Sequence, residues 1–256
     1  MHQPIAVFDA GIGSYAIVAE IQKRLPRQDI IYFADRASFP YGGKGREQLL
    51  SIMRQSISLL ETFDPSAIII ASNAPSIMVL DEVRKYCALP LYGVFPPLQQ
   101  ALAASRTGRV GIMCVRSLVE SETLARFVEE HTNKPDNVAL IDASPMVDLV
   151  ENGSLLFSPA DTQAAVGHFA EEIFQRYPSI DALTLSSTHL PWLRSFFEAS
   201  RPDCLFLDPA EDIVAGIGLE QPALASCRGL SPKMKTMIWT PFGACSNISE
   251  SIFRLI

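Results

Sequence analysis

No apolar run in this chain of 256 residues reaches the roughly 20 residues that a membrane-spanning helix needs, so no membrane span is expected. The opening Met1-His2-Gln3-Pro4 lacks a basic cluster followed by an apolar stretch, and a cytoplasmic location is the expectation. Positive charge is scarce. Twenty-one Lys and Arg face 28 Asp and Glu, a net charge of −7. A face that tracks a phosphate backbone is not expected, and nucleic acid is set aside as a partner. The densest basic group, Gln22-Lys23-Arg24-Leu25-Pro26-Arg27, reads as a helix end, where cations suit the dipole. Cysteine pairing is also missing. The five cysteines are odd in number and none is spaced Cys-x-x-Cys, so reduced thiols are expected. The four histidines are scattered without metal-ligand spacing, and no metal site is expected. Low-complexity segments and long linkers are absent as well.

What is present is a core-forming chain, 48% hydrophobic and 19% charged. Short β-branched runs at 4–9, 29–34, 66–71, 91–94, 109–114, 137–142, 182–186, 204–207 and 235–240 alternate with helix-period stretches. Helices are predicted over Tyr15–Leu25, Arg46–Phe63, Ser76–Tyr86, Leu118–His131 and Asp161–Tyr177. In the second of these, Leu49, Ile52, Met53, Ile57 and Leu60 fall on one face. Continuous apolar runs such as Ala67-Ile68-Ile69-Ile70 suit strands buried on both faces of a parallel sheet. The expected class is α/β, with right-handed crossovers. The unit at 66–76 is echoed at 182–192, and 5–9 at 110–114. This weak duplication predicts two Rossmann-like lobes with a site in the cleft between them, one lobe from 1–94 plus 209–256 and the other from 95–208. Ser226–Lys233 reads as a surface loop.

Five constellations are candidates for chemistry. Phe8-Asp9-Ala10-Gly11-Ile12-Gly13-Ser14 ends a strand in a carboxylate and opens a helix through glycines. Such a turn lets backbone approach a ligand anion, and Asp9 would serve as a base or hold an ammonium group. It also fits a plain turn with Asp9 as a cap. With Asp35 following the next strand, a dinucleotide fingerprint is a rival reading, although a charged Asp9 would sit badly beside a pyrophosphate. Ser38-Phe39-Pro40-Tyr41-Gly42-Gly43-Lys44-Gly45 is either a loop that closes over a ligand or an ordinary turn. Ile69-Ile70-Ala71-Ser72-Asn73-Ala74-Pro75 and Leu185-Ser186-Ser187-Thr188-His189-Leu190-Pro191 are two copies of an apolar strand that ends in small polar residues. Taken singly, these are common turn and cap residues. Asp148-Leu149-Val150-Glu151-Asn152-Gly153 puts carboxylates at i and i+3 on one helix face, with Gly153 suited to the cap. A solvated helix end is the alternative.

In this order the pieces resemble the glutamate racemase family over essentially the whole chain. That resemblance implies two α/β lobes related by a pseudo-twofold, no cofactor, and a small amino-acid or dicarboxylate ligand. It further implies a thiolate that removes the α-proton and a thiol on the opposite lobe that returns one. By position, Ser72 and Ser187 stand where the family carries its two cysteines. Asp9 matches the acid beside the first thiol, His189 the residue assisting the second, and Glu151 an acid close to it. Tyr41, Gly42, Asn73 and Thr188 match substrate-binding positions, with Pro40 beside them. Ala10 and Ala74 occupy positions of a serine and a threonine, Gly43 that of a threonine, Ser14 that of a glycine, and Leu190 that of an aromatic. A homodimer is common among such proteins.

The two serines change the energetics. A free thiol ionises near pKa 8.5 and a serine hydroxyl about as poorly as water. Roughly six units of thiolate advantage vanish, on the order of 8 kcal/mol. The expected protein therefore keeps the pocket while two-base racemisation is lost or strongly impaired. One alternative is a lyase or hydrolase built on Ser187 with His189, or on Asp9, for which the sequence reveals no third group to orient the base. Another is a working glutamate or aspartate racemase supplying D-glutamate for peptidoglycan. Cys114, at a predicted strand end, either brings a thiol near the pocket or packs as a small hydrophobe.

Overall fold

The computed structural model describes residues 3–210, 213, 234–239 and 245–248, the last two stretches through their backbone. The chain forms two compact units, 1–94 with 210–256, and 95–209.

In the first unit, β1 (Ile5–Asp9), α1 (Tyr15–Arg24), β2 (Ile30–Asp35), α2 (Arg46–Glu61), β3 (Ala67–Ile70), α3 (Asn73–Val83) and β4 (Leu91–Gly93) follow in order. β1, β2 and β3 are buried along their whole length, which is why each reads as an unbroken apolar run. The buried face of α2 is Leu49, Leu50, Met53, Ser56, Ile57 and Leu60. Ile52, predicted on that face, is only half-buried, and Leu50 and Ser56 take the space instead. In α1, Ile17, Val18 and Ile21 pack with Ile5, Val7, Tyr32 and Ile69 into one core.

The second unit runs α4 (Leu98–Ala104), β5 (Val110–Cys114), α5 (Arg116–Val119), α6 (Glu122–His131), β6 (Val138–Asp142), α7 (Ser144–Glu151), α8 (Ser154–Phe157), α9 (Pro159–Arg176), β7 (Ala182–Leu185), α10 (Arg194–Ser200) and β8 (Leu205–Leu207). The single helix predicted over Leu118–His131 is broken. Ser121 accepts a hydrogen bond from the Leu124 amide and so starts α6, as a serine N-cap does.

The first sheet has the order β10-β9-β2-β1-β3-β4, with β9 at Met234–Trp239 and β10 at Cys245–Ile248. Strands β1, β2, β3, β4 and β9 are parallel to their neighbours in that order, while β10 runs antiparallel to β9 at the edge. β10 departs from the all-parallel expectation and was not among the predicted strands. Cys245-Ser246-Asn247-Ile248 is too short and polar to read as one. The second sheet has the order β6-β5-β7-β8, all parallel. The order β2-β1-β3-β4 thus recurs as β6-β5-β7-β8, so the sequence echoes of 5–9 with 110–114 and 66–76 with 182–192 fall on equivalent strands. The loop predicted at Ser226–Lys233 lies outside the described residues. No described helix is long and apolar enough to cross a membrane.

Candidate active site

Chemistry-bearing residues gather at the carboxyl ends of the strands in each unit, where open parallel sheets hold their ligands. In the first unit, β1 and β3 are in register through Phe8 and Ile70, and the Ala71 amide donates to the Phe8 carbonyl at 2.8 Å. By that register Asp9 falls opposite Ala71, one residue before Ser72 on the neighbouring strand. Asp9 is 3% exposed, and its Oδ1 accepts from the Ala10 amide at 2.7 Å. It does not cap α1, whose N-cap is Ser14. The loop after it is held from β2. Arg36 donates from Nη1 to the Ala10 carbonyl at 2.9 Å, and the Tyr32 hydroxyl lies 2.7 Å from Ser14 Oγ and donates to the Gly11 carbonyl.

Ser72 is half-buried and occupies the N-cap position of α3 in extended backbone, without capping the helix through its side chain. Asn73 is 4% exposed. Its Nδ2 donates to the Val94 carbonyl at 3.2 Å, and its Oδ1 is buried with no hydrogen-bond partner. Ala74 is buried. Tyr41 and Gly42 lie in a short 3-10 turn, and Pro40, which follows a cis peptide bond, is exposed. The Tyr41 ring is buried, and its hydroxyl donates to Asp35 Oδ2 at 3.0 Å. Burial, with Asp35 and Asp9 nearby, pushes that hydroxyl well above the ordinary tyrosine value, so it remains a donor. Asp35, the acid of the rival dinucleotide reading, is buried and engaged by Tyr41, which is not how a ribose-binding carboxylate is presented.

In the second unit, β7 delivers Ser186, Ser187, Thr188 and His189, all buried. The Ser186 amide donates to the Met113 carbonyl at 2.9 Å, the counterpart of the Ala71–Phe8 bond. Thr184 Oγ1 and Ser186 Oγ, 2.7 Å apart, tie the segment back to its strand. The Leu190 amide closes a turn onto the Ser187 carbonyl at 2.9 Å. Within that turn Ser187 Oγ lies 3.4 Å from His189 Nδ1, and His189 Nε2 lies 2.6 Å from Glu151 Oε1.

Glu151 reaches His189 because of how α7 starts and stops. Asp142 Oδ1 accepts from the Ser144 amide at 3.0 Å and the Ser144 hydroxyl at 2.6 Å. Burial pulls the Asp142 carboxyl up, but the bonds from Ser144 and Arg116 outweigh it and hold it below the ordinary value. Met146 and Val150 are buried, which leaves Glu151 at the rim. The turn ends at Gly153 with φ +71°, a left-handed cap. Asp148, the other carboxylate of the predicted pair, is exposed, so the solvated-end reading holds for Asp148 and fails for Glu151. Cys114 is fully buried, and burial with Asp142 nearby raises its thiol to about 12. It packs as a hydrophobe and supplies no thiolate. Among the described residues no cluster of His, Cys, Asp and Glu could hold a metal ion.

Sequence reasoning missed Arg36, Tyr32 and Asp142 as the groups that hold these loops; the family resemblance puts Glu151 close to the second thiol position, and its bond to His189 is what the structure adds. The spacing of Arg36 behind Asp35 carries no signal of its target 26 residues earlier.

No protein-family model matches the chain. A glutamate racemase from Desulforudis audaxviator is 33% identical over 221 residues, 84% of this chain and 78% of that protein. The solved glutamate racemase of Thermus thermophilus, in complex with β-chloro-D-alanine, is 26% identical with a TM-score of 0.77, over 93% of this chain and 88% of that one. The glutamate racemase of Francisella tularensis, in complex with D-glutamate, is 26% identical with a TM-score of 0.75, over the same 93% and 88%.

Proposed function

The chain belongs to the glutamate racemase family, and on that premise we propose that it binds a small amino acid or dicarboxylate without efficient two-base racemisation. The observation that carries this reading is the pair of serines. Ser72 and Ser187 follow equivalent strands, β3 and β7, one at each position where the family resemblance implies a thiol. A hydroxyl held there is weaker as a carbon base by on the order of 8 kcal/mol. Asp9 beside Ser72, and His189 with Glu151 beside Ser187, are the acid–base groups that remain.

Binding is supported by Asn73. A buried amide oxygen without a partner costs about 1–3 kcal/mol, and an ammonium donor would relieve it. The relatives from Thermus thermophilus and Francisella tularensis hold β-chloro-D-alanine and D-glutamate, and a ligand of that class suits Asn73 and Asp9 of the first unit. Tyr41 contributes through its turn, with Pro40 and Gly42, since its hydroxyl is committed to Asp35. Ala10 and Ala74 bring no hydroxyl, and each missing bond to a charged group is worth about 1.5–3 kcal/mol, so glutamate should bind weakly. The lobes of this reading are 1–94 plus 209–256 and 95–208. A cytoplasmic, cofactor-independent protein, assembled as a homodimer, completes it.

The test is α-proton exchange. The protein is incubated in D₂O with each enantiomer of glutamate and aspartate, and the α-proton signal is followed by NMR. The expected result is no exchange above the protein-free control, together with a ligand-dependent rise in Tm. Exchange above the control would show that a competent base survives and would overturn this reading; exchange accompanied by inversion would restore the working racemase, with supply of D-glutamate to peptidoglycan as its role.

A further inference from the structure

We propose that Ser187, His189 and Glu151 form a nucleophilic acyl-transfer centre that hydrolyses small carboxylic esters. The three groups lie in one line of contacts, Ser187 Oγ to His189 Nδ1 at 3.4 Å and His189 Nε2 to Glu151 Oε1 at 2.6 Å. An ionised carboxylate only accepts hydrogen bonds. In the neutral imidazole the proton therefore sits on Nε2, and the Nδ1 lone pair faces the serine hydroxyl. This is the third, orienting group that a nucleophile–base pair requires, contributed from a helix end 38 residues away in sequence. The 3.4 Å separation is long, as resting acid–base contacts are before substrate tightens them. Of the other described histidines, His131 bonds the Phe127 carbonyl at 2.7 Å and His168 faces Glu172 on the surface. Neither meets a serine in this way.

The serine that fails as a carbon base succeeds as a nucleophile, because His189 removes its proton only as the new bond forms. Ser187 Oγ adds to the ester carbonyl carbon while its proton passes to Nδ1. The tetrahedral intermediate collapses, the ester C–O bond breaks, and the departing alkoxide takes that proton from Nδ1 to leave as an alcohol. Water then attacks the acyl-serine and gives a proton to Nδ1. Ser187 Oγ leaves and recovers the proton, releasing a carboxylic acid. Ester and water become acid and alcohol, and nothing is oxidised or reduced. His189 and Ser187 are catalytic residues in this scheme, and Glu151 is a positioning residue.

The full chain is treated with phenylmethanesulfonyl fluoride and, separately, with p-nitrophenyl acetate. Adducts are located by peptide mass mapping, and p-nitrophenol release is followed by absorbance. One sulfonyl adduct at Ser187 is expected, with ester turnover lost in Ser187→Ala. His189→Gln and Glu151→Gln should slow both reactions by roughly 10²-fold or more. Glu151→Asp should recover part of the rate that Glu151→Gln loses, because a carboxylate again accepts from Nε2. Circular dichroism melts establish that each variant is folded. An unmodified Ser187 in the folded protein overturns the proposal, as does a labelling rate indifferent to both the His189 and Glu151 variants. These readouts are independent of α-proton exchange, so this proposal and the preceding one stand or fall separately.

Discussion

Asp181 shows how a single buried charge is kept. It sits just before β7, and its carboxylate accepts from Ser105 Oγ, from the Arg106 amide at 2.8 Å, and from the Thr107 amide and hydroxyl at 3.2 and 3.0 Å. Burial alone would raise its pKa, but these bonds outweigh burial and hold it below the ordinary value of 3.8. A folded-state pKa below the unfolded one gives stability that is fully present above the unfolded value and is lost as pH falls through the folded one. Asp181→Ala should cost about 1.5–3 kcal/mol at neutral pH. The difference from wild type should shrink as pH drops below 3.8, measured by denaturant unfolding at several pH values. The thiols obey the same logic with the opposite sign. Burial raises Cys114 and Cys204 to about 12, whereas Cys87 is half-buried and raised less. Of these three, Cys87 should react first with a disulfide reagent at pH 8, followed by peptide mapping. Cys114 was legible in the sequence as a strand-end thiol. Its inertness was not, because burial depends on what packs across β5.

At the scale of elements, the join between β3, α3 and β4 is closely packed at Gly93. Ser76 Oγ lies 2.6 Å from the Ser72 carbonyl it donates to, and accepts from the Val94 amide at 2.9 Å. A Cβ on Gly93 would come within 2.8 Å of Ser76 Oγ and 2.7 Å of a Leu80 methyl. Leu80 can rotate, but Ser76 is pinned at both ends of its bonding. Gly93→Ala should therefore destabilise by about 1–3 kcal/mol, as overpacking does, read from thermal and denaturant unfolding. It should also shift the backbone of Ser72 and Asn73, so ligand stabilisation should weaken with it. The strands and most helices around this join were legible, because burial on both faces and a 3.6-residue apolar period are local signals. The split of 118–131 into α5 and α6 was missed, although Ser121 two residues after Val119 is an ordinary N-cap signal. Edge strand β10 had no comparable signal, since its pairing with β9 is made by backbone.

At the scale of the whole molecule, the recurrence of one strand order in both sheets makes Ser72 and Ser187 a matched pair, and a matched repair is the informative experiment. The double variant Ser72→Cys, Ser187→Cys should acquire α-proton exchange on glutamate or aspartate that the wild type lacks, measured by the same NMR assay. If the folded variant stays inert, divergence at Ala10, Ala74 and Leu190 limits the reaction as well. The net charge of −7 argues against nucleic acid at this scale and needs no coordinates, because charge is additive along the chain. The same holds for the α/β class, the order of elements, the duplication and the two serines, each written in local composition and periodicity. Tertiary structure alone decided which side chains meet. Arg36 folds back onto Ala10, and Tyr41 spends its hydroxyl on Asp35. Such contacts depend on how strands register and where a helix stops, and no spacing along the chain encodes a distance between residues brought together by folding.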